Sequence, residues 1–125
     1  MYALSVQQPW ASLIISGIKP VENRTWKPSY RGPLLIHAGK KWDKTGAEFI
    51  IETYPELEKQ INKSKNITGA LLGQVTMTDC VTKHPSKWFF GPYGFVFIKP
   101  REFNKPIPYK GALGIFYVPD EVMEV

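Results

Sequence analysis

From Pro9 to Ile18 the chain is apolar at almost every position, and this run most constrains what it can fold into. Trp10, Leu13, Ile14 and Gly17 fall at i, i+3, i+4 and i+7, the spacing of one helical face, while Ala11, Ile15 and Ile18 make the remaining faces apolar too. Only Ser12 and Ser16 are polar within it. A helix without a wet side has to be largely buried. Tyr2 to Val6 reads as the strand that leads in, with Gln7 or Gln8 as the cap and Pro9 in the first turn, where a missing N–H costs nothing. Gly17 ends the helix.

A second strand follows Lys19-Pro20. Alternation puts Val21, Asn23 and Thr25 on one face and Glu22, Arg24 and Trp26 on the other, so Glu22 and Arg24 share a side and Lys19 stands at its entrance. Residues 27–32 form a turn-rich loop, and Pro33 to Ala38 returns as an apolar strand that ends near His37. Asp43 is a plausible N-cap for a helix through Ala47, Ile50, Ile51 and Tyr54, and Pro55 starts a further turn carrying Leu57 and Ile61. Asn62 to Asn66 reads as exposed. Thr68 to Val81 is a long strand broken at Gly69 and Gly73, with Val75, Met77 and Asp79 on one face. After an aromatic loop at 83–93, Gly94 to Lys99 and Ala112 to Val118 are closing strands joined by a Pro-rich connection. About six strands with two or three helices between them describe an α+β fold built on a small, mixed, barrel-like sheet. With 125 residues and no linker or repeat, a single domain over 1–125 is expected.

The composition narrows the function classes. An apolar share of 43% with 14% aromatics fits a globular chain rather than a disordered one. No run reaches the roughly 20 apolar residues of a membrane span, and the N-terminus lacks the pattern of a secretion signal. A cytoplasmic protein without a membrane role is the expectation. Cys80 is the one cysteine, which excludes an internal disulfide and reads as a buried thiol; with two histidines, His37 and His84, far apart, no metal site and no cofactor are expected. The net charge of +5 leans toward an anionic partner, and the cations keep aromatic company: Lys27 and Arg31 near Trp26, Lys40 and Lys41 before Trp42, Lys83 and Lys87 before Trp88. That interleaving suits phosphate contact with base stacking, and equally suits Lys stems lying over aromatic surface.

Gln8-Pro9-Trp10-Ala11, Gly17-Ile18-Lys19, Glu22-x-Arg24 and Arg31-Gly32-x-Leu34-Leu35-Ile36-His37-Ala38 together closely resemble the N-terminal signature of ASCH domains, a group named for homology to a transcriptional coactivator. The likeness continues through Gly69 to Gly73, Asp79-Cys80-Val81, Trp88-Phe89-x-Gly91-Pro92-Tyr93-Gly94 and Lys110-Gly111-x-Leu113-Gly114, across nearly the whole chain. The resemblance implies a PUA-like β-barrel with RNA or a modified nucleoside in a cleft to which Lys19, Glu22 and Arg24 give its charge. It also brings in small bacterial members that remove the acetyl group from acetylcytidine, and others proposed to cleave RNA or to bind nucleic acid without catalysis. In the amidohydrolase branch a nucleophilic Thr stands three positions after the Lys. Here that position is Glu22, which has no hydroxyl, so the resemblance gives no support to deacetylation through a threonyl ester.

Three readings follow. In the first, the chain binds RNA or a nucleotide-like ligand: Glu22 accepts from a base amino group and the cations hold phosphate. In the second it is a small hydrolase acting on a modified nucleoside or an RNA phosphodiester, with Glu22 as base and Lys19 and Arg24 as electrostatic partners. In the third it is a protein-interaction module, with a protein partner and the aromatic loop at 88–93 as its surface. Further cleft candidates are Ser5 and Gln8 at the helix N-terminus, Trp26 as a stacking wall, His37 as a structural histidine or a base, and Asp79, Tyr93 and Lys110 toward the rim.

Overall fold

The computed structural model describes residues 1–123. Its elements run β1 (Tyr2–Gln8), α1 (Trp10–Ile15), β2 (Val21–Arg24), β3 (Gly32–Trp42), α2 (Lys44–Thr53), a 3-10 turn at Pro55–Leu57, α3 (Glu58–Ser64), β4 (Ala70–Val81), β5 (Tyr93–Pro108), β6 (Ile115–Tyr117) and a 3-10 turn at Asp120–Met123. The strands make one six-stranded mixed sheet in the order β2-β5-β4-β3-β1-β6. β1 and β3 are parallel, with α1 and β2 between them in sequence as the crossover such a pair needs; the other ladders are antiparallel. This is the expected α+β architecture, six strands with three α-helices.

Burial on two sides explains why α1 has no polar face. Ala11, Ile14 and Ile15 pack into the main core with Leu34, Ile36, Val75 and Phe95, while Leu13 enters a second core with Val21, Ala47, Ile50, Ile61 and Trp88. Gln8 caps the helix from inside β1. Its Oε1 accepts from the Ser12 amide at 2.9 Å, and its Nε2 donates to Ser12 Oγ and to the Ile67 carbonyl, each at 2.8 Å. β1 therefore runs two residues beyond the expected Val6, and Pro9 precedes the helix instead of lying in its first turn. Gly17, at φ +85°, turns the chain out of α1 in a conformation that a side chain would disfavour.

Several boundaries differ from the sequence expectation for identifiable reasons. The Pro-rich connection after Lys99 is strand as far as Pro108. β2 covers the outer edge of β5 only at Tyr93–Val96, so beyond it Pro100, Pro106 and Pro108 lie where the missing N–H breaks no ladder on that side. Asp79 does not continue the inward row of Val75 and Met77. The β4–β5 register shifts between Met77 and Asp79, which leaves Thr78 and Asp79 exposed and turns Cys80 inward. Asn62, Lys63, Lys65 and Asn66 are exposed as expected, but α3 reaches into that stretch and buries Ser64 along with Ile61. Asp43 does cap α2, accepting from the Gly46 amide at 2.9 Å.

The sheet is open between β1 and β2. β6 pairs with β1 only over Tyr2–Leu4, so the outer edge of β1 is uncovered from Ser5 onward. β2, at the far end of the strand order, approaches this edge. Among the described residues the two strands share no ladder; the Arg24 guanidinium spans the opening and donates from Nη2 to the Ser5 carbonyl at 2.8 Å.

Candidate functional site

The uncovered edge of β1, the facing strand β2, the end of β3 and the segment after β5 enclose a cleft of about 1000 Å³. Ser5, Val6 and Gln7 line it from β1, Glu22, Asn23 and Arg24 from β2, and His37 to Lys41 in part from β3. Tyr109 to Gly114 form the opposite rim.

A charged triad stands at the β2 wall. Glu22 is 8% exposed, and both of its carboxylate oxygens are held: Oε1 accepts from Lys19 Nζ at 2.8 Å, and Oε2 lies 3.1 Å from Arg24 Nη2 and 3.2 Å from Arg24 Nε. Lys19 does not stand at the cleft entrance, where the sequence places it. It is 2% exposed, lies behind Glu22 and does not line the cleft; its ammonium also donates to the Val21 carbonyl at 2.6 Å and sits 5.5 Å from the Trp10 ring centre. A buried ammonium cannot stand alone in a low-dielectric interior, so Lys19 and Glu22 require each other. Arg24 donates from Nε to Glu22 and from Nη2 to the Ser5 carbonyl, and its side chain belongs to the cleft lining. A carboxylate has about four lone-pair sites, and the contacts to Lys19 Nζ, Arg24 Nε and Arg24 Nη2 leave one to accept from an amino or hydroxyl group of a ligand.

A second, neutral cluster stands at the β1–β3 side. Ser5 and His37 are register partners in the parallel pair, and Ser5 Oγ lies 3.0 Å from His37 Nδ1. His37 Nε2 lies 2.6 Å from the Tyr109 carbonyl, and the ring is edge-on to Phe116. His37 is 1% exposed. Burial pushes its pKa below the ordinary value, against a smaller upward pull from the bond to Tyr109, so the imidazole is neutral near pH 7.

The other sequence candidates separate cleanly. Ser5, Glu22, Arg24, His37 and Lys110 share the cleft. Gln8 lies outside it, fully buried, its amide consumed by the cap and the Ile67 carbonyl. Trp26 falls beyond the end of β2, is partly buried and packs edge-on against Phe95 at 5.1 Å, against the core and outside the cleft lining. Tyr93 is opposite Arg24 in the ladder but packs on the core, and exposed Asp79 lies across the sheet near Arg31 at 4.0 Å. The aromatic loop is also less open than expected. Trp88 is buried, and Asn23 pins the loop by donating to the Trp88 carbonyl and accepting from the Phe90 and Gly91 amides; Phe90 is the ring left exposed. Cys80 is buried, and burial pushes its thiol pKa up, as suits an inert core thiol.

Sequence reasoning passes over Asn23, Tyr109, Gly111 and Leu113 as cleft residues. Asn23 alternates onto the opposite face of its strand from Glu22, Tyr109 and Gly111 lie in the connection that reads as a loop, and Leu113 falls in an expected strand from Ala112 that begins only at Ile115, so neither period nor composition marks them. Leu113 is 99% exposed on the rim, a position that only the tertiary structure reveals. Among the described residues no group of His, Cys, Asp and Glu is arranged to hold a metal, and no helix is long and apolar enough to cross a membrane.

With the motif residues Lys19, Glu22 and Arg24 joined in one network beside a cleft, comparison with known proteins identifies the group. The model of the ASCH domain matches residues 4–115. The chain belongs to the ASCH domain family. Its similar curated relatives include Activating signal cointegrator 1 of Homo sapiens and of Mus musculus, each 36% identical over 121 residues that cover 88% of this chain. The match takes in 21% of the length of either relative, so this ASCH chain spans about a fifth of the curated proteins it resembles. Among solved structures, the crystal structure of ASCH from Zymomonas mobilis superposes with a TM-score of 0.63 at 12% identity, covering 98% of this chain and 90% of that one. A tyrosine-to-phenylalanine mutant of the same Zymomonas mobilis protein gives 0.61 at 13% identity, covering 98% and 93%. At such identities the likeness establishes the fold.

Proposed function

We propose that this ASCH protein binds RNA or a nucleotide-like ligand in the cleft between β1 and β2. The observation that carries this reading is the charge of the cleft: a Glu22 carboxylate fixed at the wall by Lys19 and Arg24, with Lys40, Lys41 and Lys110 around the mouth. A volume of about 1000 Å³ is at the upper end of the usual range for ligand sites and accommodates a nucleotide. The cations neutralise phosphate, a contact that carries affinity without sequence information. Glu22 accepts from an exocyclic amino group, as carboxylates do with the cytosine amine, and its two cation partners keep the carboxylate oriented for that role.

The test is a titration of short single-stranded RNA, the matching DNA and mononucleotides across a range of salt. Affinity for RNA should fall linearly on logarithmic axes, and Lys40→Ala, Lys41→Ala and Lys110→Ala should each reduce the slope by about 0.7 for a single-stranded ligand. Slopes unchanged in all three variants overturn the assignment of the mouth as the phosphate path. Failure of every nucleic-acid ligand to bind overturns the reading altogether.

A further inference from the structure

We propose that Ser5 is a nucleophile activated by His37, giving this cleft an acyl-transfer activity toward carboxylic esters. The direction of the hydrogen bonds carries the argument. The Tyr109 carbonyl can only accept, so the 2.6 Å contact requires His37 Nε2 to bear the hydrogen. His37 Nδ1 then presents its lone pair, and the Ser5 hydroxyl donates to it across 3.0 Å. Nucleophile, base and the group that orients the base are thus in the order that activates a serine, with a main-chain carbonyl in the orienting place. Ser5 is partly exposed and lines the cleft, whereas His37 is buried beside it.

Two glycines pack closely against the dyad and leave no room there for a side chain. A Cβ at Gly111 would stand 2.9 Å from His37 Nδ1 and 3.0 Å from Ser5 Oγ, and one at Gly39 would stand 3.3 Å from the same oxygen. Gly111 is not in the left-handed region, so its backbone geometry does not demand glycine; the space next to the dyad does. Arg24, hydrogen-bonded to the Ser5 carbonyl, brings a cation to the same residue.

The chemistry balances with water as the only co-reactant. Ser5 Oγ bonds to the ester carbonyl carbon as its proton passes to His37 Nδ1, and the carbonyl π pair moves to oxygen. Return of that pair breaks the ester C–O bond, and the departing alcohol takes the proton from Nδ1. Water, deprotonated by the same nitrogen, then attacks the acyl-serine; the acid leaves and Ser5 recovers its hydrogen. Neither Glu22 nor Lys19 takes part, so this activity is separate from ligand recognition at the β2 wall and stands whether or not the cleft holds RNA.

A fluorophosphonate probe followed by peptide mass spectrometry, together with p-nitrophenyl acetate hydrolysis, tests the proposal on the folded chain. Ser5 should be the labelled residue, and Ser5→Ala should hydrolyse the ester at least tenfold more slowly than wild type. Gly111→Ala should slow labelling by a similar factor while its thermal unfolding remains cooperative. In wild type the labelling rate should fall with pH below neutrality as the imidazole protonates, and His37→Gln should abolish that dependence together with most of the rate. Labelling absent from Ser5, or hydrolysis equal in wild type and Ser5→Ala, overturns the nucleophile. RNA binding measured on the same wild-type sample separates the two readings: binding without labelling removes only the nucleophile, and labelling without binding removes only the proposed ligand.

Discussion

The two sides of the cleft are assembled in opposite ways. On the β2 side, Lys19, Glu22 and Arg24 lie three and two positions apart, and a turn followed by strand alternation is enough to join them. On the β1–β3 side, Ser5 and His37 are 32 residues apart and His37 and Tyr109 are 72 apart, so only the sheet brings them together. The first cluster is charged and partly sealed from water, which makes each member depend on its partners for folding. The second is neutral and hydrogen-bonded, and Ser5 and His37 both line the cleft. A cluster whose charges must be compensated is tied to stability; a neutral one lining the cleft is free to be tied to chemistry.

Substitutions break this contrast in a definite order. The largest loss is expected from Glu22→Gln, which leaves the buried Lys19 ammonium without its counter-charge and should cost about 3–5 kcal/mol in urea unfolding. Lys19→Met should cost less, because Glu22 keeps Arg24 and the new side chain still fills the space beside Trp10. Equal losses in the two variants would show that the triad is not centred on Glu22. Next comes His37→Gln, which disturbs the bonds to Ser5 and Tyr109 and should cost about 1–3 kcal/mol. A loss as large as that of Glu22→Gln would erase the difference between the two clusters.

Smaller still is the effect of pH on the neutral cluster. Burial holds the folded-state pKa of His37 below its unfolded value of about 6.5, so the unfolded chain binds the proton more readily. The stability this contributes is complete above that value and is lost as pH falls from it through the folded pKa. Unfolding of wild type against His37→Gln across that range should show the wild-type slope and its loss in the variant. Least of all, Lys40→Ala and Lys110→Ala should leave stability within about 0.5 kcal/mol and act only on ligand affinity.

The legible part of the fold follows the same division. The all-apolar run of α1, the Asp43 cap and the alternation of Glu22 with Arg24 depend on neighbours within a few residues, and local periodicity reports such neighbours faithfully. Asp79 escapes its expected face because a bulge one residue earlier reverses the alternation, and the Pro-rich stretch escapes notice as strand because a proline signals a loop unless the strand is known to have a free edge. Trp26 is not a cleft wall because β2 ends two residues before it, after which alternation no longer assigns a face.

From the sequence alone came the family signature, the buried helix and a carboxylate between two cations, because each is written in residues that touch along the chain. The tertiary structure decided which of those charges meets the cleft. It placed Lys19 behind Glu22 and Arg24 across the gap to Ser5, since the depth of a side chain depends on what packs over it and not on its own strand. It also decided that a serine in the first strand and a histidine in the third are partners, because parallel register is set by the crossover and the core between them, and no local pattern in the chain encodes it.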